Sequence, residues 1–530
     1  MIVADRPIDV PNLSLFEAVF GSTGAGHASR GEIIDFAAGT RLGRDDLIAA
    51  IVSLAGALNE RGVRPGSVVA LFAPNSPAFV IAFHAILRAG AAATTVNLLS
   101  TKADVAKQLS GSGASIILTS PDLLPIAREA AAVAGLAPDA LVLLESREDL
   151  GAYPAITDLC GLGLTPQYPH PSSEALAVLP YSSGTTGHPK GVMLTHHNLV
   201  ANLGQVRDMI RVTSEHRFIA VLPFFHIYGM TMLMNVPLQA SATLVTLERF
   251  DLGIFLEVIE VQKITHAFIA PPIALALAKN ATVASRNLSS LQLILSGAAP
   301  LDKALGLAVE SRTGAKVIQG YGMSELSPVS HLMPEDGGLS RFGRIASHGS
   351  IGWPVAGTQN KIVEPDSGRE IDRPTSGMSM VGELWVRGPN VMQGYLGDPV
   401  ATEETIDNEG FLHTGDLVQI DADGCIHVTD RLKELIKYKG YQVAPAELEA
   451  VLLTHDAIVD AAVVGVRDED GEEMPKAFVV LLEGRIVSAE EIVAYVSERV
   501  APYKKVRAVA FVQTLPKSPS GKILRRLLRS

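Results

Sequence analysis

From about residue 45 to residue 320, short aliphatic runs alternate with longer stretches whose apolar positions recur at helical spacing. The runs are Val68–Ala73, Ser115–Thr119, Leu141–Leu144, Phe218–Leu222, Thr243–Leu247, His266–Ala270, Leu291–Ser296 and Lys316–Gln319. Between them, Leu47, Ile48, Ile51, Leu54 and Leu58 trace one helical face. Strand and helix signals in alternation predict an α/β fold of doubly wound sheets, covered by helices on both sides. In such folds ligands meet the loops that leave the carboxyl ends of strands.

After about residue 340 the pattern changes. Glycine, proline and Asp-Gly turns multiply, and Val418–Ile420, Asp423-Gly424 and Ile426–Val428 predict a β-hairpin. Residues 340–430 are expected to form a β-rich subdomain of a large N-terminal unit, 1–430. Beyond Asp430 a helix over Pro445–Leu453, strands around Ala461–Val466 and Ala477–Leu482, a helix over Glu490–Val500 and a strand over Ala508–Val512 predict a small mobile α+β domain, 431–530, with its hinge at 430–431.

Composition narrows the function. Acidic residues outnumber basic ones 56 to 44, a formal net charge of −12, so the chain repels phosphate backbones and nucleic acid is not an expected partner. Cys160 and Cys425 form no metal-ligand or CxxC spacing, which reads as a reduced compartment. The apolar runs are too short to span a bilayer and the N-terminus carries no secretory pattern, so the expectation is a cytoplasmic protein without a transmembrane segment.

The loop Tyr181-Ser182-Ser183-Gly184-Thr185-Thr186-Gly187-His188-Pro189-Lys190-Gly191 follows a strand expected at Ala175–Pro180. From Ser182 onward it holds four hydroxyls, three glycines and a lysine, the donors and close backbone approach that phosphate oxygens need. No Ser or Thr follows Lys190, so it is not the P-loop of Ras-like NTPases.

Ser182 to Gly191 resembles the phosphate loop of the adenylate-forming superfamily, which includes acyl-CoA synthetases and beetle luciferases. Gly320-Tyr321-Gly322-Met323-Ser324-Glu325, Thr414-Gly415-Asp416, the stretch from Asp430 to Val443, and Pro516-Lys517-Ser518-Pro519-Ser520-Gly521-Lys522 follow in the family order. Pro223-Phe224-Phe225-His226-Ile227-Tyr228-Gly229 is most similar to the 4-coumarate/cinnamate–CoA ligase branch. The resemblance implies an ATP-dependent acid–CoA ligase that forms an acyl-adenylate and then a thioester. ATP and coenzyme A are its substrates, Mg²⁺ its cofactor, and it would be a monomer or homodimer.

By the same resemblance, Glu325 is the Mg²⁺ ligand, Asp416 accepts the ribose hydroxyls, Arg431 contacts ribose or phosphate, and Tyr321 stacks on adenine. Ser182, Ser183, Gly184, Thr185, Thr186, Gly187, Lys190, Gln319, Gly320, Gly322, Ser324, Lys433 and Gln442 complete the nucleotide set. Lys522 bridges carboxylate and α-phosphate, although Lys517, Arg525, Arg526 and Arg529 make its surroundings a basic tail that alone reads as a solvated face. Lys437 serves the thioester step, and His226 gates the acyl and thiol sites. Arg249, Lys439 and Gly440 are the expected coenzyme A contacts.

The implied acyl pocket is Tyr228, Met232, Ala298, Gly320, Gly322, Pro328, Val329 and Leu332. Its small wall suits a flat aromatic ring, and Tyr228 either hydrogen-bonds a ring hydroxyl or packs. No acid beyond Glu325 is present to pair with an amino-acid ammonium. A cinnamate- or 4-coumarate-type acid is expected, with a medium-chain fatty acid as the alternative. A non-catalytic adenylate-binding protein is the reading from another class.

Overall fold

The computed structural model describes residues 1–21, 31–182, 189–438, 441–467, 473–518 and 521–529, the side chain of Gln442 excepted. Among the described residues, two large, mostly parallel sheets carry the N-terminal part. One is built on Val68–Phe72, flanked in parallel by Ala92–Thr95 and Ala114–Thr119, and is closed at one edge by Lys190–Thr195 and Gly394–Tyr395. The other runs in parallel register through Lys316–Gly322, Leu293–Ser296, His266–Ile269, Arg217–Ala220 and Thr243–Thr246. The aliphatic runs of the sequence therefore became strands within a residue or two of their expected ends, except that Lys316–Gln319 runs on three residues to Gly322. They are apolar throughout because helices cover both faces.

The helix Arg44–Glu60 shows why periodicity worked here. Leu47, Ile51, Leu54 and Leu58 are fully buried on one face, and Ile48 lies at its margin. Strand Leu176–Val178 leads into the short strand Tyr181–Ser182, which pairs with Lys190–Thr195. The two ends of the phosphate-type loop are thus fixed to each other by a ladder, whatever the loop between them does.

The β-rich part is an antiparallel sheet in the order Ile2–Val3, Gln359–Val363, Gly382–Arg387, Leu412–Ile420 and Ile426–Arg431. The expected hairpin is its last pair. The N-terminal dipeptide Ile2–Val3, too short to show any alternation, contributes the edge strand. The last strand runs on through Arg431, paired with Asp416, so the expected boundary at 430–431 falls inside a strand.

Beyond it, Ile436–Tyr438 pairs with Tyr441–Val443, and Ile458–Arg467, Glu473–Leu481 and Ala508–Phe511 form a small sheet backed by helices Pro445–Leu453 and Ala489–Ser497. This small C-terminal domain has its own apolar core, including Leu448, Leu452, Val463, Val479 and Ile492. Cys160 and Cys425 are separate thiols. Among the described residues no helix is long and apolar enough to cross a membrane.

Candidate active site

Three groups of side chains meet where strands of the second large sheet end. The first is built on the antiparallel pair that places Asp416 opposite Arg431. Asp416 is only 3% exposed, a costly place for a carboxylate without partners. Both its oxygens have one: Tyr321 donates its hydroxyl to Oδ2 at 2.6 Å, and Arg431 Nε lies 2.8 Å from Oδ1. Burial and the adjacent Asp416 push the Tyr321 phenol far above its ordinary range, so it stays a donor. Burial lowers the Arg431 pKa, but Asp416, Tyr321, Glu434 and Glu325 more than reverse this, and the guanidinium is held charged. The Tyr321 ring also packs edge-on against His331, with centroids 5.9 Å apart.

The second group surrounds Glu325, 4% exposed, in the turn after strand Lys316–Gly322. Ser182 Oγ and the Tyr395 hydroxyl both donate to Oε1, each at 3.0 Å. Among the described residues nothing bonds Oε2, and no cluster of three or more His, Cys, Asp or Glu residues is present to hold a metal. One fixed carboxylate with a spare oxygen suits Mg²⁺, which takes one or two protein carboxylates and completes its shell with water and substrate phosphates. Lys190 lies 3.8 Å from Asp398 Oδ2 and 5.0 Å from the centroid of the Tyr395 ring. Ser183, Gly184, Thr185, Thr186 and Gly187 lie outside the described residues, as do Lys439 and Gly440.

Tyr395 escaped the sequence reading. Its signal was faint: a tyrosine within the turn-rich Gly394-Tyr395-Leu396-Gly397-Asp398-Pro399.

The third group joins the two parts of the chain. Gly521, at φ +84°, lies so close to Ala270 and Pro272 that a Cβ there would sit 3.3–3.4 Å from them. The next residue, Lys522, is thereby carried to the end of strand His266–Ile269. Burial first and the Arg431 charge second, against the opposing pull of Asp416 and Glu434, lower its ammonium to about 8. Lys522 has no ion-pair partner among the described residues. His226 is lowered to about 4 by burial and by the Lys522 charge. Its Nδ1 accepts from the Tyr228 backbone N–H at 3.2 Å, so the imidazole is neutral with its proton on Nε2. That tautomer offers a donor, not a base. Gly229 closes this turn because a Cβ there would fall 2.1 Å from Pro223 O.

Several expected residues sit differently. A Cβ on Gly322 would meet the Pro328 carbonyl oxygen at 1.8 Å, and one on Gly320 would meet Leu332 Cδ1 at 3.0 Å. At Gly322 the Cβ direction is taken by protein backbone and at Gly320 by the end of a leucine side chain, while Gly322 itself remains exposed. Tyr228 directs its hydroxyl to the carbonyls of Ile269 and Leu295, 3.3 Å each, which settles its two readings in favour of packing. Met232 and Leu332 are fully buried, and Val329 is held at its backbone by Asn202. Pro328 is buried, and Ala298 is exposed with φ +71°, a left-handed backbone that alanine rarely adopts.

Gln319 does not present its amide to the nucleotide side. The amide accepts from Leu301 N at 2.9 Å and donates to the carbonyls of Leu301 and His348, fixing the segment after Ala298. Ser324 opens the one-turn helix that carries Glu325. Lys433 and Arg249 are exposed. Lys437 projects into solvent from the Ile436–Tyr438 hairpin, with Gln442 opposite it in the ladder. The basic tail is only in part a solvated face: Arg526 and Arg529 are exposed, but Arg525 pairs with Glu449 and Glu434, and Lys517 pairs with Asp460.

Comparisons with known proteins agree with this arrangement. A family model described as AMP-binding enzyme matches residues 23–396, and one described as AMP-binding enzyme C-terminal domain matches 447–522. The chain is 39% identical to 4-coumarate–CoA ligase 5 of Oryza sativa subsp. japonica, over 99% of this chain and 95% of that one. Its fold is similar to ATP-bound MatB from Rhodopseudomonas palustris, with a TM-score of 0.86, 27% identity and 98% of each chain covered. It is also similar to the anthranilate CoA ligase AuaEII in complex with anthranoyl-AMP, with a TM-score of 0.87, 25% identity, 98% of this chain and 97% of that one. The chain belongs to the AMP-binding, adenylate-forming enzymes.

Proposed function

We propose that this protein is an ATP-dependent acid–CoA ligase acting on cinnamate- or 4-coumarate-type aromatic acids. The observation that carries the reading is that the Asp416–Tyr321–Arg431 group, buried Glu325 and Lys522 of the C-terminal domain fall within one electrostatic neighbourhood. Relatives named 4-coumarate–CoA ligase, alike over nearly the whole chain, support the acid class.

In this reading a carboxylate oxygen of the acid attacks the α-phosphorus of ATP. The bond to the bridging oxygen breaks, and pyrophosphate leaves with the electron pair. Asp416 receives the ribose hydroxyls, with Arg431 and Tyr321 holding its two oxygens in place. Lys522 places its ammonium between the acid's carboxylate and the α-phosphate, where negative charge redistributes in the transfer. Glu325 would hold Mg²⁺ through its spare oxygen, and the ion would supply charge neutralisation on the phosphates. In the second step the thiolate of coenzyme A attacks the acyl carbon, the bond to the phosphate oxygen breaks, and AMP leaves. A free thiol is a few per cent ionised at neutral pH, so neutral His226 orients by donating from Nε2 and need not act as a base. Rotation of the C-terminal domain just beyond Arg431 brings Lys437 to the adenylate for this step.

ATP–pyrophosphate exchange with cinnamate, 4-coumarate, octanoate and no acid tests the proposal. The expected result is exchange that depends on the acid, with kcat/KM highest for the aromatic propenoates. A higher value for octanoate would move the assignment to fatty acids, and no exchange with any acid would leave a binding protein.

A further inference from the structure

We propose that two ion pairs, Arg525 with Glu449 and Glu434 and Lys517 with Asp460, position Lys522 for adenylate formation by clamping both feet of the loop that carries it. The inference rests on the function proposed above and adds the residues that hold its central cation in place.

The loop is short and closed at its base. Lys517 and Ile523 form an antiparallel bridge, Leu524 N donates to Pro516 O at 2.8 Å, and Ser518 N donates to Lys522 O at 2.8 Å. Lys522 N in turn donates to Ser518 Oγ at 3.1 Å. A bridge of this size fixes the loop's own shape but not its direction relative to the domain. Direction comes from the feet.

On one side Lys517 Nζ reaches Asp460 Oδ2, in strand Ile458–Arg467, at 2.5 Å. On the other, three residues beyond Lys522, Arg525 Nη2 lies 2.8 and 2.7 Å from the two oxygens of Glu449, and Nη1 bonds Glu434. Glu449 is itself anchored, accepting from Val463 N at 2.8 Å. The foot is therefore tied through one carboxylate to both helix Pro445–Leu453 and strand Ile458–Arg467. Glu434 follows directly on the turn after Arg431, so the same guanidinium also references the loop to the interdomain segment. Arg525 reaches Glu449 through Nη2 and Glu434 through Nη1, so one planar guanidinium spans two carboxylates, a geometry that lysine does not reproduce.

A buried ion pair is weak evidence for stability, since well-packed apolar residues often do as well. Fixing the position of a cation three residues away gives this pair a use that its stability does not. Among the described residues Lys522 has no ion-pair partner, so its place is set by its loop.

The charges that face Lys522 are Arg431, Asp416, Glu434 and Arg525, with neutral His226 beside it. Removing Arg525 deletes one positive neighbour and frees the Glu434 carboxylate. Both changes raise the Lys522 pKa, so the alkaline limb of the rate profile moves to higher pH. Loosening the domain would rehydrate Lys522 and raise its pKa as well, so the readouts that separate the clamp from a general loosening are the spared thioester step and the partial recovery in Arg525→Lys.

The test uses the full-length enzyme with 4-coumarate, ATP and Mg²⁺. Exchange reports adenylation, and thioester formation from supplied 4-coumaroyl-adenylate and coenzyme A reports the second step. A misplacement of about 1 Å costs on the order of 10²-fold, so Arg525→Met is expected to slow exchange by about that factor. KM for ATP should stay near the wild-type value, thioester formation should be spared, and the alkaline limb should shift upward. Arg525→Lys should recover part of the rate. Lys517→Met, at the more accessible foot, should give a smaller loss of the same kind, and it carries the test alone if Arg525→Met does not fold.

Folded Arg525→Met and Lys517→Met enzymes that exchange at wild-type rates, while Lys522→Ala is inactive, would overturn the clamp and leave the proposed function standing. Equal losses in both half-reactions would overturn it as well. Wild-type exchange by Lys522→Ala would remove the proposed role of Lys522, and the clamp with it.

Discussion

Tyr321 donates its hydroxyl to Asp416 at 2.6 Å, and that bond joins the end of a central parallel strand to the β-rich sheet. Asp416 has almost no solvent of its own, so its orientation is decided by Tyr321 on one oxygen and Arg431 on the other. In the proposed function, a buried carboxylate held at both oxygens would meet the ribose without having to reorganise. The arrangement is built before the nucleotide arrives.

Tyr321→Phe keeps the ring and removes this donor. A hydrogen bond to a charged group contributes about 1.5–3 kcal/mol, so KM for ATP is expected to rise roughly ten-fold or more. The acid's KM should stay nearly constant, and Tyr321→Ala should cost more because the ring is lost too. Separate ATP and acid titrations of the exchange rate check this. A rise confined to the acid's KM would assign Tyr321 to the acyl side instead.

The pH dependence follows from Lys522. Its folded pKa is about 8, lowered chiefly by burial, so the charged form prevails at neutral pH and is lost on the alkaline side. Adenylation needs the ammonium, so kcat/KM for ATP should be level through neutral pH and fall above about 8. His226, at about 4, is neutral across that range and contributes no acid limb near its ordinary pKa. Lys522→Arg should remove the alkaline limb along with most of the rate. A limb that survives in Lys522→Arg belongs to another group.

Much of this site was legible because motif order and chemistry coincide. Asp416, Glu325 and Lys522 are charged residues in turn-rich segments, and burying them demands the partners that a binding site supplies. Three features were not legible, for physical reasons. A glycine announces that something is close, not what it is, and at Gly322 it is the Pro328 carbonyl rather than a substrate. An amide such as Gln319 serves a loop as readily as a ligand, and here it serves the segment from Leu301 to His348. A two-residue edge strand such as Ile2–Val3 carries no period to detect. Arg525 was hidden by its neighbours, because a run of cations reads as solvated until its buried carboxylates are seen.

Gly322 and Ala298 separate fold from specificity. A Cβ at Gly322 would overlap the Pro328 carbonyl, so Gly322→Ala is expected to lower Tm and to reduce activity with every acid alike. Ala298 is exposed at φ +71°, where a non-glycine residue costs about 1–2 kcal/mol. Ala298→Gly should therefore raise Tm slightly, glycine's greater freedom in the unfolded chain offsetting part of the gain. Ala298→Leu should discriminate by acid size, costing about 1–3 kcal/mol with ring-bearing acids and little with acetate. Equal losses for acetate and cinnamate in Ala298→Leu would remove Ala298 from the acyl side.

The two lysines of the C-terminal domain offer the sharpest contrast. Lys522 is half-buried beside Arg431, Asp416 and His226, whereas Lys437 is exposed on a hairpin. In the proposed function it is therefore Lys522, of these two lysines, that serves the adenylation step in this arrangement. If the domain turns about the segment after Arg431, Lys522 withdraws and Lys437 replaces it, as hinge motions that absorb their change in a few residues allow. Removing one preorganised charge commonly costs about 10²–10³ in rate, so Lys522→Ala should slow exchange by about that factor. It should leave thioester formation from supplied acyl-adenylate largely intact. Lys437→Ala should show the opposite bias, with exchange near wild type and the thioester step impaired. The comparison needs both half-reactions measured on the same folded preparations, because a general loss of stability lowers the two together. Equal slowing of both steps by Lys522→Ala would mean that a single arrangement performs both, with Lys437 a solvent-facing residue of its hairpin and nothing more.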